Sequence, residues 1–431
     1  MQKNENRSGY KKTKVGWVPE DWACVSLGEI FSECRTRGEP GLRVFSVTQD
    51  RGLVRRDQVD RRVASTLTSD ECLLVEPGDF AYNMMRMWQG AVDLCTERGV
   101  VSPAYVVCRP RITSVFPPFM FRYFKSSRGL YKFWSYSYGL TNDRLRLYYK
   151  DFCHVPAPLP PLPEQEAIAG VLQCWDEGIK NLELRIVKKR NIKKGLMQAL
   201  LSGKIRLPGF GPARSELGIE NSECGIPEGW KEVRLGEMCS LCKEKYQPSE
   251  QEDLKCLELE HIEKETGRIV GYTSSSAQSS MKTRFKPGSV LFGKLRPYLQ
   301  KFARPQFTGV CSTEIWVLIP NERKASGDFL FWLVQSRRFN AAATVTSGSK
   351  MPRADWHHLS SRVFCIPTIG EQQAIASFLS AADAEVEVLE RKLAVLKNQK
   401  RFLLNNLVTG TIRLPQFVCA AQTADTKGDT E

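Results

Sequence analysis

The residue types that carry out most enzyme chemistry are present in this chain, but not at the spacings that chemistry needs. The four histidines, His154, His261, His357 and His358, do not stand at metal-ligand intervals. Of 14 cysteines, only Cys239 and Cys242 make a CxxC pair, and no second pair follows at zinc-ribbon distance. Cysteines such as Cys108 and Cys365 sit inside apolar runs, where buried, reduced thiols are expected. His357-His358 beside Trp356 reads as a strand or surface element. No glycine-rich loop ends in Lys-Ser or Lys-Thr to cradle phosphates, and no GxSxG elbow presents a serine. No Asn/Asp-Pro-Pro-Tyr/Phe run is present to hold a flipped base. Together these absences argue against catalysis by this chain.

Other side chains are spaced for recognition. Asn83, Arg86, Trp88 and Gln89 crowd before Gly90, and Lys294, Arg296 and Tyr298 echo them. A second region, 137–146, carries Asn142, Arg144 and Arg146, and is echoed by Lys350 and Arg353 in 347–353. Arginine and lysine neutralise phosphates and bind guanine edges through paired hydrogen bonds; asparagine and glutamine do the same for adenine. Small residues between them let a loop approach a groove. The chemistry expected is DNA contact. The alternative is a structural turn under a solvated basic face. An excess of 62 Lys and Arg over 48 Asp and Glu, a net charge of +14, draws polyanions in general.

These pairs of regions recur because the chain is written twice. Glu371-Gln372 repeats Glu164-Gln165 at an offset of 207 (371 − 164), and Gly410–Pro415 repeats Gly203–Pro208 at the same offset. About fifty residues align there without a gap. Pro19-Glu20-Asp21-Trp22 is echoed by Pro227-Glu228-Gly229-Trp230, and Leu27-Gly28-Glu29 by Leu235-Gly236-Glu237. The order is variable module, similar block, variable module, similar block.

Each similar block has the heptad pattern of a long helix. The first apolar row is Ile168, Leu172, Trp175, Ile179, Leu182, Ile186, Leu196 and Leu200, broken by Lys189 and Lys193. Shifted by 207 it becomes Ile375, Leu379, Ala382, Val386, Leu389, Leu393, Leu396, Leu403 and Leu407, broken by Lys400. Prolines up to Pro163 block any helix from entering, and Gly203 and Gly410 stand at the C-cap. From Glu164 to Ser202 such a helix is ~58 Å long at ~1.5 Å per residue. A narrow seam of that length needs a partner. The 3.5-residue period favours the two copies pairing along their length, and because a whole module connects them, antiparallel packing about an approximate two-fold is expected. The alternative packs each helix on its own module only.

The modules, 1–157 and 222–366, carry β-branched and aromatic runs such as 102–108 and 311–318, which read as strands, with helices around 119–126 and 328–338. The expected architecture is α+β: two globular modules and two long helices, 158–208 and 367–415, with a linker at 209–221 and a fraying tail from Gln416. The N-terminus is basic without an apolar run behind it, and no window of ~18 apolar residues occurs, so neither a secretory signal nor a membrane span is expected. A cytoplasmic location follows.

The helix blocks, Pro161-Leu162-Pro163-Glu164-Gln165-Glu166-Ala167-Ile168 and Leu200-Leu201-Ser202-Gly203-Lys204-Ile205-Arg206-Leu207, resemble the conserved spacers of Type I restriction-modification specificity subunits. The second copy departs from the first at Thr368, Ile369 and Gly370. Met85–Gly90 and Val101–Tyr105 resemble phrases of that family's target-recognition domains. The resemblance covers nearly the whole chain. It implies that each module reads one half of a split site in double-stranded DNA, and that the paired helices dock two methyltransferase subunits. S-adenosylmethionine, ATP and Mg are then expected on the methyltransferase and restriction subunits, with no cofactor, metal or catalytic residue in this chain. Two rival readings are a coiled-coil scaffold without DNA specificity and a stand-alone DNA-modifying enzyme. The first predicts no salt-dependent DNA affinity; the second needs a carboxylate cluster or cofactor loop.

Overall fold

The computed structural model of the chain describes residues 8–58, 67–141, 143–211, 226–249, 252–347 and 351–418. Most of the expected linker and of the tail from Gln416 lies outside them. The chain forms two compact units. Unit 1 comprises Met1–Leu182 with Lys392–Glu431, and unit 2 comprises Glu183–Arg391.

In unit 1 a four-stranded antiparallel sheet runs in the order Phe31–Glu33, Tyr105–Pro110, Phe80–Asn83, Val92–Leu94. A second has the order Gly52–Arg55, Val44–Thr48, Gly99–Val101, Leu73–Val75, and pairs Val100 with Val44 in parallel. Four short helices, α1 (Leu27–Ile30), α2 (Pro117–Lys125), α3 (Ser127–Ser135) and α4 (Tyr149–Phe152), close the first sheet. The core is aromatic. The Phe124 ring meets those of Phe31, Phe80, Phe133 and Phe152 at centroid distances of 5.2–6.0 Å. Edge and tilted contacts of this kind add to what burial alone supplies.

Unit 2 repeats this topology on a diverged sequence. Cys239–Leu241, Ile315–Pro320, Val290–Gly293 and Phe302–Ala303 form the first sheet. The second contains the same single parallel pairing, here Cys256 with Val310. Helices α6 (Leu235–Met238), α7 (Gly327–Leu333), α8 (Arg337–Ala343) and α9 (Trp356–Ser360) accompany them.

Two expected strands and two expected helices prove shorter than the sequence suggests. Runs 102–108 and 311–318 each contain a turn, so that Gly99–Val101 and Tyr105–Pro110, like Gly309–Ser312 and Ile315–Pro320, enter different sheets. The cause is local. The Ser102 and Ser312 hydroxyls accept the amides of Ala104 and Glu314, each at 3.4 Å, and hold a turn inside an apolar run. The helical stretches break at Ser126 and Ser336, whose hydroxyls cap α3 and α8 by accepting the Gly129 and Phe339 amides. His357 and His358 lie on α9, which Asp355 caps through both their amides.

The long helices are α5 (Leu162–Leu201, 40 residues) and α10 (Ile369–Leu407, 39 residues). They pack antiparallel. In unit 1 the start of α5 lies with the end of α10, where Ile168, Leu172 and Leu407 share one core with half-buried Leu403 and Leu404. In unit 2 the end of α5 lies with the start of α10, where Met197, Leu200, Leu201, Ile375, Ala376 and Leu379 share another. The pairing row also includes Ile179, Leu182, Ile186, Leu196, Val386, Leu389, Leu393 and Leu396, all buried or half-buried. Among the described residues no helix is long and apolar enough to cross a membrane.

Candidate nucleic-acid interface

Each module is fastened to the helix pair by one buried carboxylate. In unit 1 Glu164 is fully buried. Arg413 grips it through Nε and Nη2 at 2.9 and 2.7 Å, and the Trp22 indole donates to it at 2.9 Å. In unit 2 Arg206 grips Glu371 at 2.9 and 2.6 Å, and Trp230 donates at 3.2 Å. The neighbouring glutamines complete the joint. Gln165 accepts the Phe116 amide and donates to the carbonyls of Ser114 and Pro160. Gln372 accepts the Ser326 amide and donates to the carbonyls of Lys324 and Pro367. The glycine after each block serves the same joint: at Gly410 a Cβ would come within 2.4 Å of Pro19, and at Gly203 within 2.4 Å of Pro227. The repeated motifs of the sequence therefore converge on one spot per unit. Each spot takes its carboxylate from one block and its arginine from the other.

The lysines that interrupt the apolar rows also have partners. Lys193 pairs with Asp383 in unit 2, and Lys400 with Asp176 in unit 1. The offset of 207 carries one pair onto the other (400 − 193 and 383 − 176). Arg122 joins Asp176 at 2.5 Å, while the Lys193 ammonium also lies 5.7 Å from the centre of the Trp332 ring. Half-buried ion pairs at single core positions fix the register of paired helices.

With the frame set, the recognition regions take defined positions. In unit 1 the first follows the strand Phe80–Asn83 into a 3-10 turn, Met87–Gln89, and the second forms a loop whose stems pair at Tyr138 and Arg146. The Leu147 amide donates to the Met84 carbonyl at 2.9 Å and joins the two. In unit 2 the equivalent turn is Pro297–Leu299. The Arg296 amide donates to Pro352 at 2.8 Å, and the Ala354 amide donates to Lys294 at 2.9 Å. Both units thus bring together loops far apart in sequence.

The individual side chains differ. Arg86, Arg144, Arg146, Arg296 and Tyr298 are exposed, while Asn83, Gln89 and Lys294 are half-buried. Arg86 donates to Gln89 at 2.9 Å, which orients both amide and guanidinium. Trp88 packs on the core, and its indole donates to the Met85 carbonyl, so it supports the turn more than it presents a face. Arg353 is held in a two-pronged pair by Glu314 at 2.9–3.2 Å. Asn142 and Lys350 lie outside the described residues. The Arg353 guanidinium holds the Glu314 carboxyl below its ordinary range against the opposing effect of burial. The Thr141 hydroxyl, and to a smaller extent Arg86, lower Asp143.

Backbone strain marks the unit 2 turn. Arg296 and Gln300 flank it at φ 52° and 48°, left-handed values that side chains with a Cβ rarely adopt. In unit 1 the position matching Gln300 is Gly90, at φ 88°.

Residues 227–398 match the family model for the Type I restriction modification DNA specificity domain. The EcoDI specificity subunit of Escherichia coli is 26% identical over 417 residues, 91% of this chain and 87% of its own. The MjaVIII specificity subunit of Methanocaldococcus jannaschii is 23% identical over 423 residues, 92% and 94% respectively. Over most of its length the chain is similar to specificity subunits of Type I restriction-modification systems. The matched model describes the DNA specificity domain of such systems. The fold agrees. A chain solved in a study of complex assembly and conformational transition of a type I R-M system superposes with a TM-score of 0.59 at 17% identity, covering 92% of this chain and 99% of that one. The M. genitalium S subunit gives 0.50 at 13% identity, with 90% and 96% covered.

Sequence reasoning missed the fastening of the modules by Trp22, Glu164 and Arg413, and by Trp230, Glu371 and Arg206. The signal was available: a carboxylate and an arginine kept at the two ends of both copies of the block call for each other.

Proposed function

We propose that each module reads one half of a bipartite site in double-stranded DNA through its joined pair of loops. The observation that carries this reading is the doubling. In both units, two sequence-distant loops bearing exposed Arg, with Gln or Tyr beside them, are stitched edge to edge by backbone hydrogen bonds. Such side chains supply phosphate contacts and base-edge contacts together. Asn142, Lys350 and Arg353 belong to the same proposal, Arg353 on release from Glu314.

The helices take the second part of the role. On α10, Val388, Val395 and Phe402 recur every seven residues, and on α5 Leu184 and Val187 stand three apart; all are exposed. An apolar heptad line of this kind suits further helices. We assign it to two methyltransferase subunits that bind S-adenosylmethionine, with restriction subunits using ATP and Mg in a cytoplasmic complex. Replacing Val395 and Phe402 by Asp should leave the chain folded, because both side chains are exposed, and should abolish co-purification with the methyltransferase. Retained co-purification would remove these residues from the docking surface. Replacing residues 222–366 by another recognition module should change one half-site alone, as read by mapping methylated adenines; a change in both halves would refute modular reading.

A further inference from the structure

Unit 1 carries a basic and aromatic strip whose lysines and rings have no counterparts at the matching sequence positions of unit 2. Its first part is the hairpin Tyr10–Thr13 with Gly16–Pro19, whose Lys11, Lys12 and Lys14 are exposed. Among the described residues no ion pair takes them up. Helix α3 braces this hairpin. The Lys132 ammonium donates to the Lys14 carbonyl at 2.8 Å, and the Arg128 guanidinium lies against Gly16, 3.2 Å from where a Cβ would stand. The lysines are therefore presented on a fixed support. On the outer face of α3, Tyr131 and Trp134 are 60% and 45% exposed, with ring centroids 5.8 Å apart. Two large rings left in water side by side on a 9-residue helix have no folding rationale. Helix α3 packs on the Met87–Gln89 turn, and its C-terminus leads into the Tyr138 loop, so the strip is continuous with the candidate recognition loops.

The matching sequence positions of the second copy lack these residues. Aligning the capping serines, Ser126 with Ser336, places Ala341, Ala342 and Thr344 where α3 has Tyr131, Lys132 and Trp134. Aligning Pro19 with Pro227 places Ile219, Glu220 and Ser222 where the hairpin has Lys11, Lys12 and Lys14.

We infer that the N-terminal hairpin and the outer face of α3 make a sequence-independent contact to the sugar-phosphate backbone of the duplex read by unit 1. The inference rests on the DNA reading proposed above. Lysines neutralise phosphates, and exposed Tyr and Trp lie against sugars or splayed bases. The contact adds affinity on one half-site and no base choice.

The test uses the full chain with its modification subunits. Binding to a duplex carrying the mapped site and to a scrambled duplex is measured between 50 and 200 mM salt. The triple variant K11Q/K12Q/K14Q should flatten the slope of log Kobs against log[salt] by up to about 2.7, on the basis of about 0.9 per phosphate contact. It should do so equally on both duplexes and leave the methylated sequence unchanged. Y131A/W134A should weaken binding to both duplexes with the slope retained, while T344A should change nothing. A triple variant with the wild-type slope would overturn the inference, as would loss of co-purification without a change in slope, which would make the strip a protein interface. Absence of salt-dependent binding by the wild-type complex would sink the DNA reading itself. Intact wild-type binding with an unchanged variant slope sinks the strip alone.

Discussion

Glu164 has no contact with solvent, and its charge is balanced by one guanidinium and one indole N–H. Removing one partner of a buried pair leaves the other charged in a low-dielectric site, at a cost of about 3–5 kcal/mol. Arg413→Ala should therefore destabilise unit 1 by roughly that amount, and Arg206→Ala should do the same in unit 2. Trp22→Phe, which keeps the ring and loses one donor to a charged group, should cost about 1.5–3 kcal/mol. Denaturant unfolding followed separately in the two units checks this; equal effects of Arg413→Ala on both would contradict the assignment. At this scale the sequence was half legible. Arginines at 86, 144 and 296 could be picked as exposed cations because they stand among turn residues. The different fates of Trp88 and Tyr298 could not, because they depend on whether the core beneath has room for a ring, and that is decided by residues far away in sequence.

The two long helices were the most legible elements, because a 3.5-residue period sustained over some forty positions suits paired helices and little else. The lysines that spoiled the period read as defects and are instead the register pins. Lys193 with Asp383 and Lys400 with Asp176 are half-buried, between exposed pairs worth under about 1 kcal/mol and buried pairs worth several. Reversing Lys193 to Asp should cost about 1–3 kcal/mol, and adding Asp383→Lys should restore most of it. A double-mutant cycle with no coupling would mean that register is set by the apolar row alone. The strands were less legible. Runs 102–108 and 311–318 looked continuous because their β-branched residues outweigh one serine in composition, yet that serine's hydroxyl bends the backbone between two sheets.

For the whole molecule, the duplication visible in the sequence reappears as two units of like topology, each closed by a helix segment from the other half of the chain. Unit 1 ends in residues 392–431 because Arg413 and Leu407 belong to the core and joint built on Trp22. That crossing was not legible in composition or period; it is carried by a few side chains acting over 249 positions of sequence. The function proposed for this arrangement is two separate readers in one polypeptide. The most direct measurement is single-molecule mapping of methylated adenines in cells carrying the wild-type system, an Arg86→Ala/Gln89→Ala variant, or a Lys294→Ala/Arg296→Ala variant. The account predicts a split motif with an unread gap, in which the first variant relaxes one half only and the second relaxes the other half only. A contiguous motif, or a single variant that relaxes both halves, would contradict it.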